Sequence, residues 1–260
     1  MSKSVEEEES ASARYPTATT VRDFHANVAA VRARIAAAAE RAGRDAASVR
    51  LLPVSKTVPT DRVRVAIEAG LRVLGENKVQ EAVRKHRETG DLDVSWAIIG
   101  HLQTNKARDV AAFAHEFQAL DRLRVAEALD RRLQAAGRSL DVFVQVNTSA
   151  EDSKFGMPPE ELSAFLKVMP VYSSLRVRGL MTLAILTPDE ARVRGCFRVL
   201  RELRDRARAD APDLIGDGEL SMGMSGDYEI AVEEGATCVR VGQAIFGARA
   251  LPDSYYWPEG

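Results

Sequence analysis

Eight short apolar runs recur along this chain, and most are followed by a segment whose apolar residues step by three and four: 49–56 (VRLLPVSK), 71–75 (LRVLG), 95–100 (SWAIIG), 116–120 (EFQAL), 141–147 (DVFVQVN), 176–183 (RVRGLMTL), 219–224 (ELSMGM) and 237–242 (TCVRVG). Runs of this length bounded by helical patterns are β-strands in βα units, and such units build a parallel sheet with helices outside it. Eight of them predict a single (β/α)8 barrel of the TIM type, an α/β fold for which roughly 250 residues is the usual length. The 260 residues fit one such barrel. A doubly wound open sheet is the alternative, because periodicity does not report closure. Helices are expected over 61–69, 79–88, 105–114, 122–136, 158–168, 188–209 and 228–234. An additional N-terminal helix is expected over 21–42, from Val21, Phe24, Val28, Val31 and Ile35 to a stop at Gly43. Only 244–250 separates the last run from Pro252, so the eighth outer helix is short or missing and the N-terminal helix is expected to cover that flank. Residues 1–19, rich in Ser, Glu, Ala and Thr, read as a disordered acidic tail, 20–252 as the barrel and 253–260 as a C-terminal tail.

Net charge narrows the partners. At −2 the chain has no basic field for nucleic acid, so any anion site is local. No apolar run approaches the roughly 18 residues of a membrane span, and Glu6 to Glu9 stand where an export signal would carry basic and then apolar residues. Cys196 and Cys238 lie in apolar stretches without CxxC spacing, which predicts buried, reduced thiols and a cytoplasmic location.

In a barrel, chemistry collects at the carboxyl ends of the strands. Lys56 ends the first run just before the Thr57-Val58-Pro59 loop, in a chain that carries 29 Arg and only 7 Lys. Arginine cannot form a Schiff base, whereas a lysine amine at an apolar strand end can become nucleophilic toward an aldehyde through desolvation. A solvated lysine closing a strand is the plainer alternative. The second run leads to Asn77, the third to His101, the fifth to Asn147 and then Asp152-Ser153-Lys154. Gly223, Ser225 and Gly226 after the seventh run, with Gly242-Gln243 after the eighth, offer small residues whose backbone N–H groups can approach an anion, and barrels often hold phosphate there. Tight turns alone would explain either loop singly. Arg240 inside an apolar run needs a partner, either a structural ion pair or a ligand acceptor at the mouth. His101 has no second histidine at metal-ligand spacing, so no metal is expected, and no GxSxG, P-loop or Rossmann fingerprint is present.

An amine for an aldehyde, a cradle for a phosphate and an arginine for a ring nitrogen match pyridoxal 5′-phosphate (PLP). The segments VSKT (54–57), GENKVQEA (75–82), WAIIGHLQTNKA (96–107), QVNTSAEDSKFGM (145–157), VRGLMTL (177–183), LSMGMSGDYEIAVEEGAT (220–237) and VRVGQAIFGAR (239–249) closely resemble the pyridoxal phosphate homeostasis protein family, over residues 20–250.

That resemblance implies a barrel like the N-terminal domain of alanine racemase, with PLP as cofactor and Lys56 as its internal aldimine. It implies phosphate at Ser225 and Gly242-Gln243, Arg240 at the pyridine nitrogen and Asn77 beside the ring. His101 carries over only weakly. Gln243 departs from the family's usual serine or threonine, which puts a hydroxyl contact to phosphate in doubt. An arginine at the ring nitrogen disfavours its protonation and makes the cofactor a poorer electron sink. None of Tyr15, Tyr172, Tyr228, Tyr255 and Tyr256 falls at a strand end to serve as a second base. A PLP carrier that supplies apo-enzymes is therefore expected over the alternative, a PLP-dependent amino-acid racemase; a class I aldolase is a third reading. Lys154 is a candidate for the amine that releases the cofactor, with a solvated loop lysine as the alternative. Monomer is the expected state, because the racemase's dimer-forming second domain finds no counterpart after the eighth run.

Overall fold

The computed structural model describes residues 15–149, 151 and 155–248. All eight predicted strands are present, most of them shorter than the apolar runs: β1 Arg50–Pro53, β2 Val73–Glu76, β3 Ser95–Ile98, β4 Glu116–Leu120, β5 Leu140–Gln145, β6 Leu175–Met181, β7 Glu219–Ser221 and β8 Cys238–Val241. Every ladder is parallel, in the order β1-β8-β7-β6-β5-β4-β3-β2. An isolated parallel bridge between Val54 and Gly75, with the Ser55 N–H donating to the Gly75 carbonyl at 3.0 Å, joins the two ends of that order. The barrel is thereby nearly closed, and the open-sheet alternative falls.

Burial divides along the strands as side chains alternate in and out. Leu52, Ala97 and Cys238 form a small apolar cluster of their own inside the barrel, while the larger core, with Leu74, Ile98, Val142, Val144 and Leu180, fills the layer between strands and helices. Cys196 and Cys238 are both free and buried. Around the strands run α1 Val21–Arg41, α2 Thr60–Glu68, α3 Val79–Glu88, α4 Ala107–Phe113, α5 Leu123–Ala135, α6 Leu162–Val168, α7 Glu190–Asp210, α8 Tyr228–Glu233 and α9 Gln243–Phe246. The helix expected from Pro158 begins with a 3-10 turn at Pro159–Glu161, which runs on into α6 at Leu162.

The N-terminal helix stands where the eighth outer helix is reduced to the four residues of α9. Its start is fixed by a capping box: the Asp23 N–H donates to Thr20 Oγ1 at 3.2 Å and the Thr20 N–H to Asp23 Oδ2 at 2.9 Å. Its end is Gly43, at φ 64°, where the Arg44 N–H reaches back to the Ala39 carbonyl at 2.8 Å. Phe24, Val31, Ile35, Ala38 and Ala39 form the buried stripe between these caps. Phe24 meets Phe246 of α9 edge to face at 5.4 Å, Asn27 donates to the Ile245 carbonyl at 2.9 Å, and Arg41 pairs with Glu233 of α8 at 2.8 Å.

Residues 15–19, which composition assigns to the tail, lie against the same flank. The Ala18 N–H donates to the Phe246 carbonyl and the Ala248 N–H to the Tyr15 carbonyl, and Ala18 is buried. Two small residues make this docking possible, Ala18 and Gly247: a Cβ at Gly247 would stand 2.6 Å from the Thr17 Cα. The expected tails at 1–14 and 253–260 lie outside the described residues.

Phe24 is fully buried at this junction. Truncation to alanine removes the ring that joins α1 to α9, and Phe24→Ala is expected to lower stability by about 3–5 kcal/mol. Urea unfolding followed by circular dichroism checks it, as a lower midpoint at an unchanged slope.

Candidate functional site

Five neighbouring strands, β7, β8, β1, β2 and β3, bring the predicted residues onto one arc of the barrel mouth. The links between successive loops are direct. The Gly242 N–H donates to Ser225 Oγ at 3.2 Å, joining the loops after β7 and β8. A Cβ on Gly242 would lie 3.1 Å from the Val54 carbonyl, and the Val54 N–H donates to Val241 at 2.9 Å, which sets Gly242 beside the approach to Lys56. Asn77 follows β2, and the Ile99 N–H donates to the Glu76 carbonyl at 2.9 Å. Gly100 lies so close to Asn77 that a Cβ would stand 2.1 Å from its carbonyl oxygen and 2.6 Å from Oδ1.

Lys56 is half-buried at the second position of a turn that runs from Ser55 to Val58 and is closed by the Val58 N–H on the Ser55 carbonyl at 3.0 Å. Thr57, the third position, has φ 66°, the one positive φ outside glycine among the described residues. Glycine or asparagine is usual there, and a β-branched residue in the left-handed region carries a penalty of about 1–2 kcal/mol. Something in the surroundings must hold it. The Thr57 N–H donates to Glu81 Oε1 of α3 at 2.8 Å.

Behind this turn lies a buried ionic cluster that the sequence did not disclose. Lys85 of α3 is inaccessible to solvent, and its Nζ donates to the Ser55 carbonyl at 2.6 Å, to Glu76 Oε1 at 2.6 Å and to Glu81 Oε1 at 2.8 Å. Ser55 Oγ also donates to Glu76 Oε1, at 2.6 Å. Burial pushes the Glu76 carboxyl up from the usual carboxylate range, against the pull of Lys85, and its Oε2 has no hydrogen-bond partner among the described residues. A signal was available: Lys85 falls on the same α3 face as the buried Val79 and Ala82.

Arg240 is also buried, with no ion-pair partner among the described residues. Its guanidinium lies at the carboxyl ends of β6 and β7, donating through Nη2 to the Thr182 carbonyl at 2.8 Å and through Nη1 to Ser221 Oγ at 2.6 Å. Ser221 donates onward to Gln118 Oε1 at 2.7 Å, and Gln118 Nε2 to Glu116 Oε1 at 2.6 Å. Arg50 closes the string at the other end of the barrel, donating to Glu116 Oε2 at 2.8 Å. Burial pulls the Arg240 pKa down from its ordinary value. Among the described residues the acceptors that hold Arg240 are neutral, Ser221 Oγ and the Thr182 carbonyl.

Two loops on this arc suit an anion. Gly226 is exposed, and a Cβ there would meet nothing within 4 Å. The Ile245 and Phe246 N–H groups both donate to the Gly242 carbonyl, so those of Gln243 and Ala244 precede the first intrahelical acceptor of α9. Tyr15 Oη donates to the Ser225 carbonyl at 3.3 Å, bringing the N-terminal segment to the rim of the same loop. Sequence reasoning missed this contact because it assigned Tyr15 to the tail.

His101 lies on the rim beyond Gly100. Its ring stacks on Phe155 at 4.2 Å, and Arg122 Nη2 donates to Nε2 at 2.9 Å, which requires that nitrogen to be unprotonated. Burial, and then the Arg122 charge, hold its pKa below the ordinary histidine value. The ring is held on the rim between a guanidinium and a phenyl face, and no cluster suited to a metal is found among the described residues. Lys154, with Asp152 and Ser153, lies outside the described residues.

Comparison with known proteins gives the family. Residues 26–250 match the family described as alanine racemase, N-terminal domain. A pyridoxal phosphate homeostasis protein of Pseudomonas aeruginosa is 46% identical over 224 residues, covering 86% of this chain and 94% of its own. The Escherichia coli protein of the same name is 42% identical over 230 residues, covering 87% and 97%. Among solved structures, PipY of Synechococcus elongatus with PLP bound superposes with a TM-score of 0.72 at 39% identity, over 77% of this chain and 93% of that one. Alanine racemase from Streptomyces lavendulae, at 18% identity and a TM-score of 0.66, shares the fold. With a family match across most of its length and relatives of this similarity, the chain belongs to the pyridoxal phosphate homeostasis proteins, built on the alanine racemase N-terminal barrel.

Proposed function

We propose that this chain binds PLP through Lys56 and serves in intracellular PLP homeostasis, holding the cofactor and releasing it to apo-enzymes. The observation that carries the reading is the arc itself: a lysine amine, a buried arginine and two anion-ready loops lie at three adjacent strand ends, those of β7, β8 and β1. The PLP-bound relative at 39% identity supports the choice of ligand. When bound, PLP supplies an aldehyde that bonds reversibly to primary amines.

The donor set fits that group. Lys56 provides the amine. Arg240, already fixed by Ser221 and Thr182, would face the ring nitrogen and donate to it, and a cation there keeps that nitrogen unprotonated. Asn77, pressed against Gly100, would line the ring. Ser225, Gly242 and Gln243 would hold the phosphate, with backbone N–H groups supplying what Gln243 lacks as a hydroxyl. Lys154 remains the candidate releasing amine. No helix among the described residues is long and apolar enough to cross a membrane. Two buried thiols suit a reducing cytoplasm, the compartment we assign, and the chain is taken to work as a monomer.

Two experiments test the reading. Purified chain incubated with PLP should gain visible absorbance and, after borohydride, a stable mass increase of one pyridoxyl phosphate; Lys56→Ala should lose both. A colourless wild-type chain would overturn the proposal, and rapid exchange of amino-acid α-hydrogens in deuterated water would turn it toward a racemase. The second experiment uses Gly100→Ala, whose new methyl group drives Asn77 out of place. It is expected to weaken PLP binding about tenfold and to lower stability by about 1–3 kcal/mol, measured by absorbance titration and thermal unfolding.

A further inference from the structure

We infer that Lys85 and Glu81 of α3 are positioning residues for Lys56, clamping the turn that carries it from both sides; this rests on Lys56 being the amine that takes PLP. The residue before Lys56 is held at every polar atom. The Ser55 N–H donates to Gly75 at 3.0 Å, its Oγ to Glu76 Oε1 at 2.6 Å, and its carbonyl accepts from Lys85 Nζ at 2.6 Å as well as from the Val58 N–H at 3.0 Å. The residue after it is held by the other arm, the Thr57 N–H on Glu81 Oε1 at 2.8 Å. That same carboxylate oxygen accepts from Lys85 Nζ at 2.8 Å, so both arms meet on one ammonium group.

The clamp answers a need that the backbone states independently. Lys56 and Thr57 are the central pair of the turn, and Thr57 at φ 66° occupies a position where glycine would sit without strain. Threonine stays there because a charged acceptor fixes its N–H. Stability alone does not explain the arrangement. A lysine with no exposed surface, paired to a carboxylate whose Oε2 is unsatisfied among the described residues, is a poor stabiliser compared with apolar side chains of the same volume. The gain is geometric: Ser55 is tied to the helix layer through Glu76 and Lys85, which fixes the backbone from which the Lys56 side chain departs.

The test uses the full chain and PLP itself. Glu81→Ala removes the outer arm at a side chain that is partly exposed, and Lys85→Met combined with Glu76→Gln removes the inner arm without stranding a buried charge. Both variants, folded by circular dichroism, should bind PLP about tenfold more weakly and shift the pH midpoint of the visible band. A further substitution, Thr57→Gly in the Glu81→Ala background, should restore affinity, because glycine needs no clamp to hold a positive φ. Affinity within about twofold of wild type and an unmoved pH midpoint in both variants would overturn the inference, whatever happens to the melting temperature. A wild-type chain with no band removable by Lys56→Ala would overturn the proposed function as well, so the two failures are told apart.

Discussion

Ring closure is the constraint on which the rest of this molecule depends. A parallel sheet left open exposes the edges of its first and last strands, and here those strands are β1 and β2, joined by a single bridge, Val54 to Gly75, in which the Ser55 N–H donates to the Gly75 carbonyl. The seam is thin because both strands stop early. Yet it is the seam that ties Ser55, just before Lys56, to the strand leading to Asn77, and β8 on the other side that sets Gly242 beside Val54. The N-terminal helix packs on α9, the short helix that follows β8.

Two buried charges, Lys85 and Glu76, lie at this seam outside the barrel wall, whereas Arg240 lies inside the wall, with its guanidinium at the carboxyl ends of β6 and β7. Their surroundings differ in kind. Lys85 has carboxylates, whereas Arg240 has a serine hydroxyl and a carbonyl, acceptors that orient a guanidinium without neutralising it. A cation oriented but not neutralised retains its field for whatever occupies the mouth.

The sequence made the architecture legible because strands buried on both faces read as uninterrupted apolar runs. It overestimated strand length where such runs continue into turns: the run 219–224 yields only Glu219–Ser221, since the chain bends through Gly223 at φ 94°. The arc residues were legible because their polarity breaks the runs. Their supports were not. Gln118 and Glu116 sit inside the run EFQAL and look like surface polarity in a strand, and the partner that gives Gln118 its meaning, Ser221, is 103 residues away. Arg50 likewise looks like a strand's first solvated residue until Glu116 is placed against it. Lys85 was hidden by its residue type, because a lysine on a charged helix is ordinarily solvent-facing.

The hydrogen bonds that run from Arg240 through Ser221 and Gln118 to Glu116 all point the same way, each donor upstream and each acceptor downstream, with Arg50 meeting them head-on at the carboxylate. A string with one polarity is not a set of independent positions. Replacing Gln118 by a hydrophobic residue strands a hydroxyl above and a carboxylate below, and replacing Ser221 frees an amide and a guanidinium together. Substitutions inside this barrel are therefore strongly epistatic. A lineage that changes the interior has to exchange several of these residues as a group, while the apolar layer outside the wall remains free to drift one methyl group at a time.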